Sequence, residues 1–204
     1  YYISILICLF LILYFFAYSI LEPEADFKSF VFTGIRFAFW SILAAGIAAA
    51  VLLPEIYAFK LTASSTSEFP KNFDDYFSLI AELSRHLPMV ETEQGLDHWP
   101  NIYCGTAVIL LFFLYVQNRR IPLKEKIVYA VLSFIFLASF AINVLNFIWH
   151  GFHYPNSLPA RQSFIYIFLL LFMCFRVFNN LETVKKSDTA TAFGVSFAAI
   201  LLAQ

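Results

Sequence analysis

The chain has 204 residues, of which 61% are apolar, 20% aromatic and only 13% charged, with a formal net charge of -1. Soluble domains carry about 25% charged residues, so this composition excludes an ordinary soluble globule and points to a multi-spanning membrane protein. Three cysteines, Cys8, Cys104 and Cys174, lie far apart in apolar runs without metal-ligand spacing, and they read as buried small hydrophobes.

Hydropathy predicts an all-α polytopic transmembrane bundle. It has five full spans and the start of a sixth, at roughly 2–20, 30–53, 102–117, 127–149, 162–178 and 191–204. The runs are unbroken rather than alternating, and every backbone amide in lipid must be paired internally, so helices are expected over strands. The opening YYISILICLF lacks a basic n-region and a small-residue cleavage site, so it does not read as a signal peptide. It has no methionine, and the chain stops within FAAILLAQ, so residues 1–204 read as one membrane-domain fragment of a longer protein.

The short link LEPEADFKSF follows the first span. After the second comes a long loop, about 54–101, rich in acids and poor in lysine and arginine. Within it, NFDDYFSLIAELSRHL places Phe73, Phe77, Ile80, Leu83 and Leu87 at three- and four-residue steps. This predicts an amphipathic helix capped by Asn72, with Asp75 at N3, bracketed by Pro70 and Pro88. The loop closes with DHWPNIYCG. There Trp99 and Tyr103 suit an interface belt, Pro100 a helix start and Gly105 close packing, while Asp97, His98 and Asn101 complete a polar cluster.

Orientation follows from the next two links. NRRIPLKEK carries Arg119, Arg120, Lys124 and Lys126, and NNLETVKKS carries Lys185 and Lys186. Both are expected to be cytoplasmic, which puts the 54–101 loop and the stretch 150–161 outside.

The fourth span ends in an unusual run, FIWHGFHYPNSLPARQSF, residues 147–164. Asn143, Asn146 and His150 are spaced i, i+3 and i+7, so they are expected on one narrow helical face leading into it. Intramembrane amides face a partner helix or a wet cavity, and a hydrogen-bonded helix seam accounts for the two asparagines alone. His150 and His153 lie one turn apart, but Gly151 and Pro155 disturb the helix and no third ligand follows, so no metal site is assigned. Arg161 sits against the orientation rule. It reads either as an arginine snorkelling to headgroups or as a guanidinium pairing with phosphate, with Asn156 and the two histidines beside it.

WPNIYCG, then IPLKEK, then NFIWHGFHYPNSLPARQSF resembles, in that order, the YfhO-like family of bacterial multi-pass membrane proteins, over about residues 54–178. One departure is Ala160, where the family commonly has an aromatic. The resemblance implies a GT-C-type glycosyltransferase that moves a sugar from a polyprenyl-phosphate carrier to a cell-wall polymer such as lipoteichoic acid, at the outer face. Its expected partners are membrane lipids, the lipid-linked sugar and the polymer acceptor, and not nucleic acid. No cofactor is assigned with certainty, and a divalent cation stays open. Lipid-phosphate binding falls to Arg161, His150, His153 and Asn156, with Asn143 and Asn146 as a supporting polar face. Asp97, His98, Asn101 and Tyr103 form a second outer cluster. The catalytic base is unassigned and is expected outside this stretch. Two other readings stand beside it: a transporter or flippase for a lipid-linked or anionic substrate, and a non-catalytic scaffold of envelope assembly.

Overall fold

The computed structural model describes residues 2–23, 26–61, 68–95, 97–155 and 157–203. It is all-helical, with α1 Tyr2–Leu21, α2 Phe27–Phe59, α3 Thr106–Gln117, α4 Leu123–Ala141, α5 Asn143–Trp149, α6 Ser163–Phe178 and α7 Lys186–Leu202. Among the described residues, extended pairing is limited to one antiparallel bridge, Asp75 with Ile142.

Packing order differs from chain order. α1 and α5 lie on α4, α4 packs on α6, α6 on α3, and α3 on α7. The core between α3, α4 and α6 holds Tyr115, Phe136, Phe140, Leu169, Met173 and Val177, each 2% exposed or less. α2 buries none of its residues and presents Phe32, Ile35, Phe39, Trp40, Ile47 and Val51 outward. An apolar face of that extent would drive association in water, but it suits hydrocarbon. Among the described residues, α1, from Ile3, and α2 are the helices with both the length and the apolarity needed to cross a bilayer; α3 and α6 are apolar but shorter. α2 runs beyond its predicted 30–53 at both ends, starting where the Asp26 carboxylate accepts the Ser29 amide at 2.7 Å. Cys174 is buried as expected and Cys104 is partly buried, whereas Cys8 is exposed on α1.

α3 ends and α4 begins at the same end of the bundle as the α6–α7 link. There Asn118 Nδ2 donates to Thr183 Oγ1 at 3.4 Å, and Arg120 approaches Glu182 at 4.0 Å. Just inside this basic end, Arg176 of α6 grips Glu125 of α4 through two bonds of 2.8 Å. Glu125 is nearly buried, so Glu125→Ala is expected to cost about 2 kcal/mol, read as a lower melting temperature in detergent.

Two expectations fail at the opposite end. The predicted fourth span, 127–149, is not one helix. Ile142 is extended, at φ -92 and ψ 124, and the chain reverses there. A straight helix would separate Phe136 and Trp149 by about 20 Å, yet their ring centroids are 4.7 Å apart. α5 therefore folds back along the end of α4.

The amphipathic helix in 72–87 does not form either. Only Ala81–His86 is helical, as a 3-10 turn. The backbone upstream is committed elsewhere: Tyr76 N–H donates to Ala141 O at 2.8 Å, and Asn143 N–H donates to Asp74 O at 3.0 Å. Asn72 caps nothing there, because its carbonyl accepts Asn143 Nδ2 at 2.9 Å. Phe73 and Ile80 of the supposed apolar stripe are 81% and 77% exposed.

Asn143 holds this junction. Its Oδ1 accepts the amides of Asp74 at 3.2 Å and Val144 at 2.7 Å. Asn143→Ala leaves these groups unpaired, with an expected loss of about 2–3 kcal/mol. A thermal melt in the same detergent measures it.

Candidate functional site

The loop end gathers the two stretches that the sequence singles out. Leu158 N–H donates to Gln94 O at 3.3 Å, tying the 147–164 stretch to the loop before Asp97. His98, His153 and Arg161 all lie near enough to act electrostatically on His150. His150 is 3% exposed and His153 is 4% exposed, with ring centroids 6.3 Å apart at 80°. His150 Nδ1 bonds to Asn146 O at 2.9 Å, which makes it the donor and leaves Nε2 as the acceptor nitrogen. Burial, more than the neighbouring His153, Arg161 and His98, pushes His150 down to about 4. The imidazole is therefore neutral at pH 7. Burial lowers His153 and His98 as well.

Arg161 is the cation of this corner. Its Nε and Nη2 donate to the carbonyls of Leu158 and Ser157, at 3.3 and 3.5 Å. His98 stacks on Tyr76 with centroids 3.7 Å apart and planes within 2°. Phe59, from the last turn of α2, meets His153 edge-on at 6.1 Å. The backbone here is strained: His98, Phe152, Leu158 and Ala160 all have φ between 52° and 63°. Residues other than glycine rarely adopt this region, and such outliers concentrate at binding and active sites.

Other expected site residues take different places. Asn143 and Asn146 both lie on α5 and bond to different segments. Asn143 faces the 72–74 segment, while Asn146 Nδ2 donates to Ser139 O of α4 at 3.3 Å. Asn101 is a loop clip, accepting from Arg85 Nη2 and the Glu93 amide at 3.0 Å each and donating to Glu93 O at 2.8 Å. Tyr103 is half-exposed and pairs with Thr106 Oγ1 at 3.3 Å, at the start of α3. Trp99 stacks on Phe77 at 4.2 Å. Asp97 is exposed, and Asn156 lies outside the described residues. No group of three or more His, Cys, Asp or Glu side chains among the described residues could hold a metal ion.

The structure adds residues that the sequence did not single out. Gln162 is fully buried and donates to Ser139 O and Oγ at 3.4 and 3.2 Å. Its position beside Arg161, opening an apolar helix, was the available signal. Glu82 is fully buried, and neither carboxylate oxygen meets a donor among the described residues. Burial pushes it up to about 8, so it carries a proton at pH 7. Nearby, His86 Nδ1 meets Leu83 O at 3.3 Å, while its Nε2 meets Tyr166 OH at 2.8 Å. Nδ1 is thus the donor, and Nε2 accepts from the phenol.

A polar, strained and largely neutral corner around one guanidinium, set on an apolar bundle, agrees with the family resemblance. The profile of the family described as "Bacterial membrane protein YfhO" matches residues 1–204. The chain belongs to the YfhO family. The match takes in α1 and most of α2, which precede the 54–178 region that the motifs cover. No curated protein and no solved structure matches the chain. As a YfhO-family member it is a bacterial membrane protein, and its apolar α1 and α2 fit that placement.

Proposed function

We propose that this YfhO-family chain is part of an envelope glycosyltransferase of the GT-C type. It transfers a sugar from a polyprenyl-phosphate carrier to a cell-wall polymer such as lipoteichoic acid, at the outer membrane face. The observation that carries this reading is the convergence of His98, His150 and His153 near Arg161 at one end of the bundle. The guanidinium supplies fixed positive charge for a departing lipid phosphate, and His150 Nε2, an acceptor while the ring is neutral, becomes a donor once the ring takes a proton beside that anion. Arg119, Arg120, Lys124, Lys126, Lys185 and Lys186 collect in the links at the other end, so the positive-inside rule turns the histidine corner outward. On this reading the bundle crosses the membrane five times and begins a sixth crossing.

A second reading, a transporter of a lipid-linked or anionic substrate, draws on the fold-back of α5, because broken helices line transport pathways. α4 runs for 19 residues, about 28 Å, before the break, which puts the reversal at a bundle end rather than at the midplane. Deleting the gene separates the two. The transferase reading expects loss of sugar from the wall polymer while lipid-linked sugar still reaches the outer leaflet. Unaltered polymer glycosylation would rule it out.

A further inference from the structure

The basic end contains a cavity of about 350 Å3 between the α3–α4 and α6–α7 links, far from the histidine corner. Arg119, Arg120 and Lys185 line it, above an apolar floor that includes Leu114 and Val184. We propose that this cavity binds a phosphate group, presented either by an anionic lipid headgroup or by a soluble phosphate compound.

Its charge and construction support that chemistry. Arg119 and Lys185 are exposed at the mouth and meet no carboxylate side chain among the described residues. Arg120 touches Glu182 only at 4.0 Å, with both side chains mostly in solvent, so this pair is weak and Arg120 is free to turn inward. One carboxylate lines the cavity, that of Asp188. Its Oδ2 accepts the Lys185 amide at 3.1 Å, and its Oδ1 accepts Ser187 Oγ at 3.5 Å, so it is turned onto its own helix start. Three cations against the engaged Asp188 and the loosely paired Glu182 leave the cavity positive.

The walls are fixed rather than incidental. Asn118 is buried and links the two loops: its Nδ2 reaches Thr183 Oγ1, while its Oδ1 accepts the Arg120 amide at 2.9 Å. Thr183 Oγ1 in turn donates to Asn180 O at 2.7 Å. The volume falls within the range of small-molecule sites, and planar guanidinium groups match phosphate oxygens in pairs. The proposal does not depend on the sugar-transfer reading.

The test uses the full chain in nanodiscs of neutral lipid. One arm adds phosphatidylglycerol to the disc, and the other adds inorganic phosphate to the buffer. Melting temperature and native mass spectrometry are read in both. Retained phosphatidylglycerol with a raised melting temperature assigns the lipid source; protection by inorganic phosphate in neutral discs assigns the soluble one. Removing Arg119 and Lys185 together, as R119Q/K185Q, is expected to weaken binding about fivefold per cation. Arg119→Lys should recover part of the loss, and it serves alone if the double variant misfolds. Lys124→Gln, outside the cavity, is expected to leave binding unchanged. Protection by neither probe, or equal loss in Lys124→Gln and the cavity variants, overturns the proposal.

Discussion

Replacing Glu82 with glutamine is expected to abolish a pH-dependent loss of stability that reaches about 5 kcal/mol above pH 8 and about 3 kcal/mol at pH 7. The carboxyl group is fully buried without a donor, and its folded value of about 8 stands well above the ordinary 4.5. A raised folded value means that the folded chain holds the proton more tightly than the unfolded chain. The stability tied to that proton is complete below pH 4.5 and is lost as pH rises through 8. Glutamine keeps the shape and never ionises, so this loss disappears. Melting temperature against pH in one detergent measures the effect. A melting profile in Glu82→Gln that falls between pH 5 and 9 as steeply as the parent's would show that Glu82 is paired or solvated.

The second large effect has the opposite sign. His150 is held near 4, below its ordinary 6.5, because burial disfavours the imidazolium. Between those values the unfolded chain binds more protons than the folded one. Stability is complete above pH 6.5, and about 3 kcal/mol is lost as pH falls to 4. His86, His98 and His153 are lowered for the same reason and steepen the acid side. In the parent protein, Glu82 and His150 oppose each other between pH 4.5 and 6.5 and partly cancel. Glu82→Gln should therefore expose a rise in stability with pH up to 6.5, and His150→Asn should expose the fall caused by Glu82. A bound phosphate reverses the His150 shift, because its charge favours the imidazolium, so binding of an anionic substrate is expected to tighten as pH drops from 7 to 5. The opposite trend would place the anion elsewhere.

Local pattern in the sequence located the helices well and their junctions poorly. The basic links 118–126 and 179–187 do lie at one end, and the 147–164 stretch does meet the loop around His98. Both could be read because charge and chain-breaking residues act within a few positions. The helix over 72–87 had good periodicity and a good cap, yet its backbone bonds go to residues 141 and 143, far along the chain, which no local window contains. The reversal at Ile142 left one trace, an asparagine inside an apolar run. Asn143 satisfies the amide at the start of the new helix as well as one from the loop. Glu82 left no trace. At a polar position of an amphipathic helix it would face water, and only the 3-10 turn and the packing of the loop onto α6 bury it.

The strain at His98, Phe152, Leu158 and Ala160 is clustered in this same corner. Ala160 is buried there with φ of 52°.

The most direct measurement is sugar transfer by the full-length protein in membranes supplied with a polyprenyl-phosphate sugar, comparing the parent with Arg161→Ala and His150→Ala. Each variant is expected to slow transfer on the order of a hundredfold, the loss expected when a guanidinium, or an imidazole that takes a proton beside the developing anion, is removed, while melting and expression confirm that it folds. Transfer at the parental rate by both variants would contradict the assignment of this corner to the lipid phosphate.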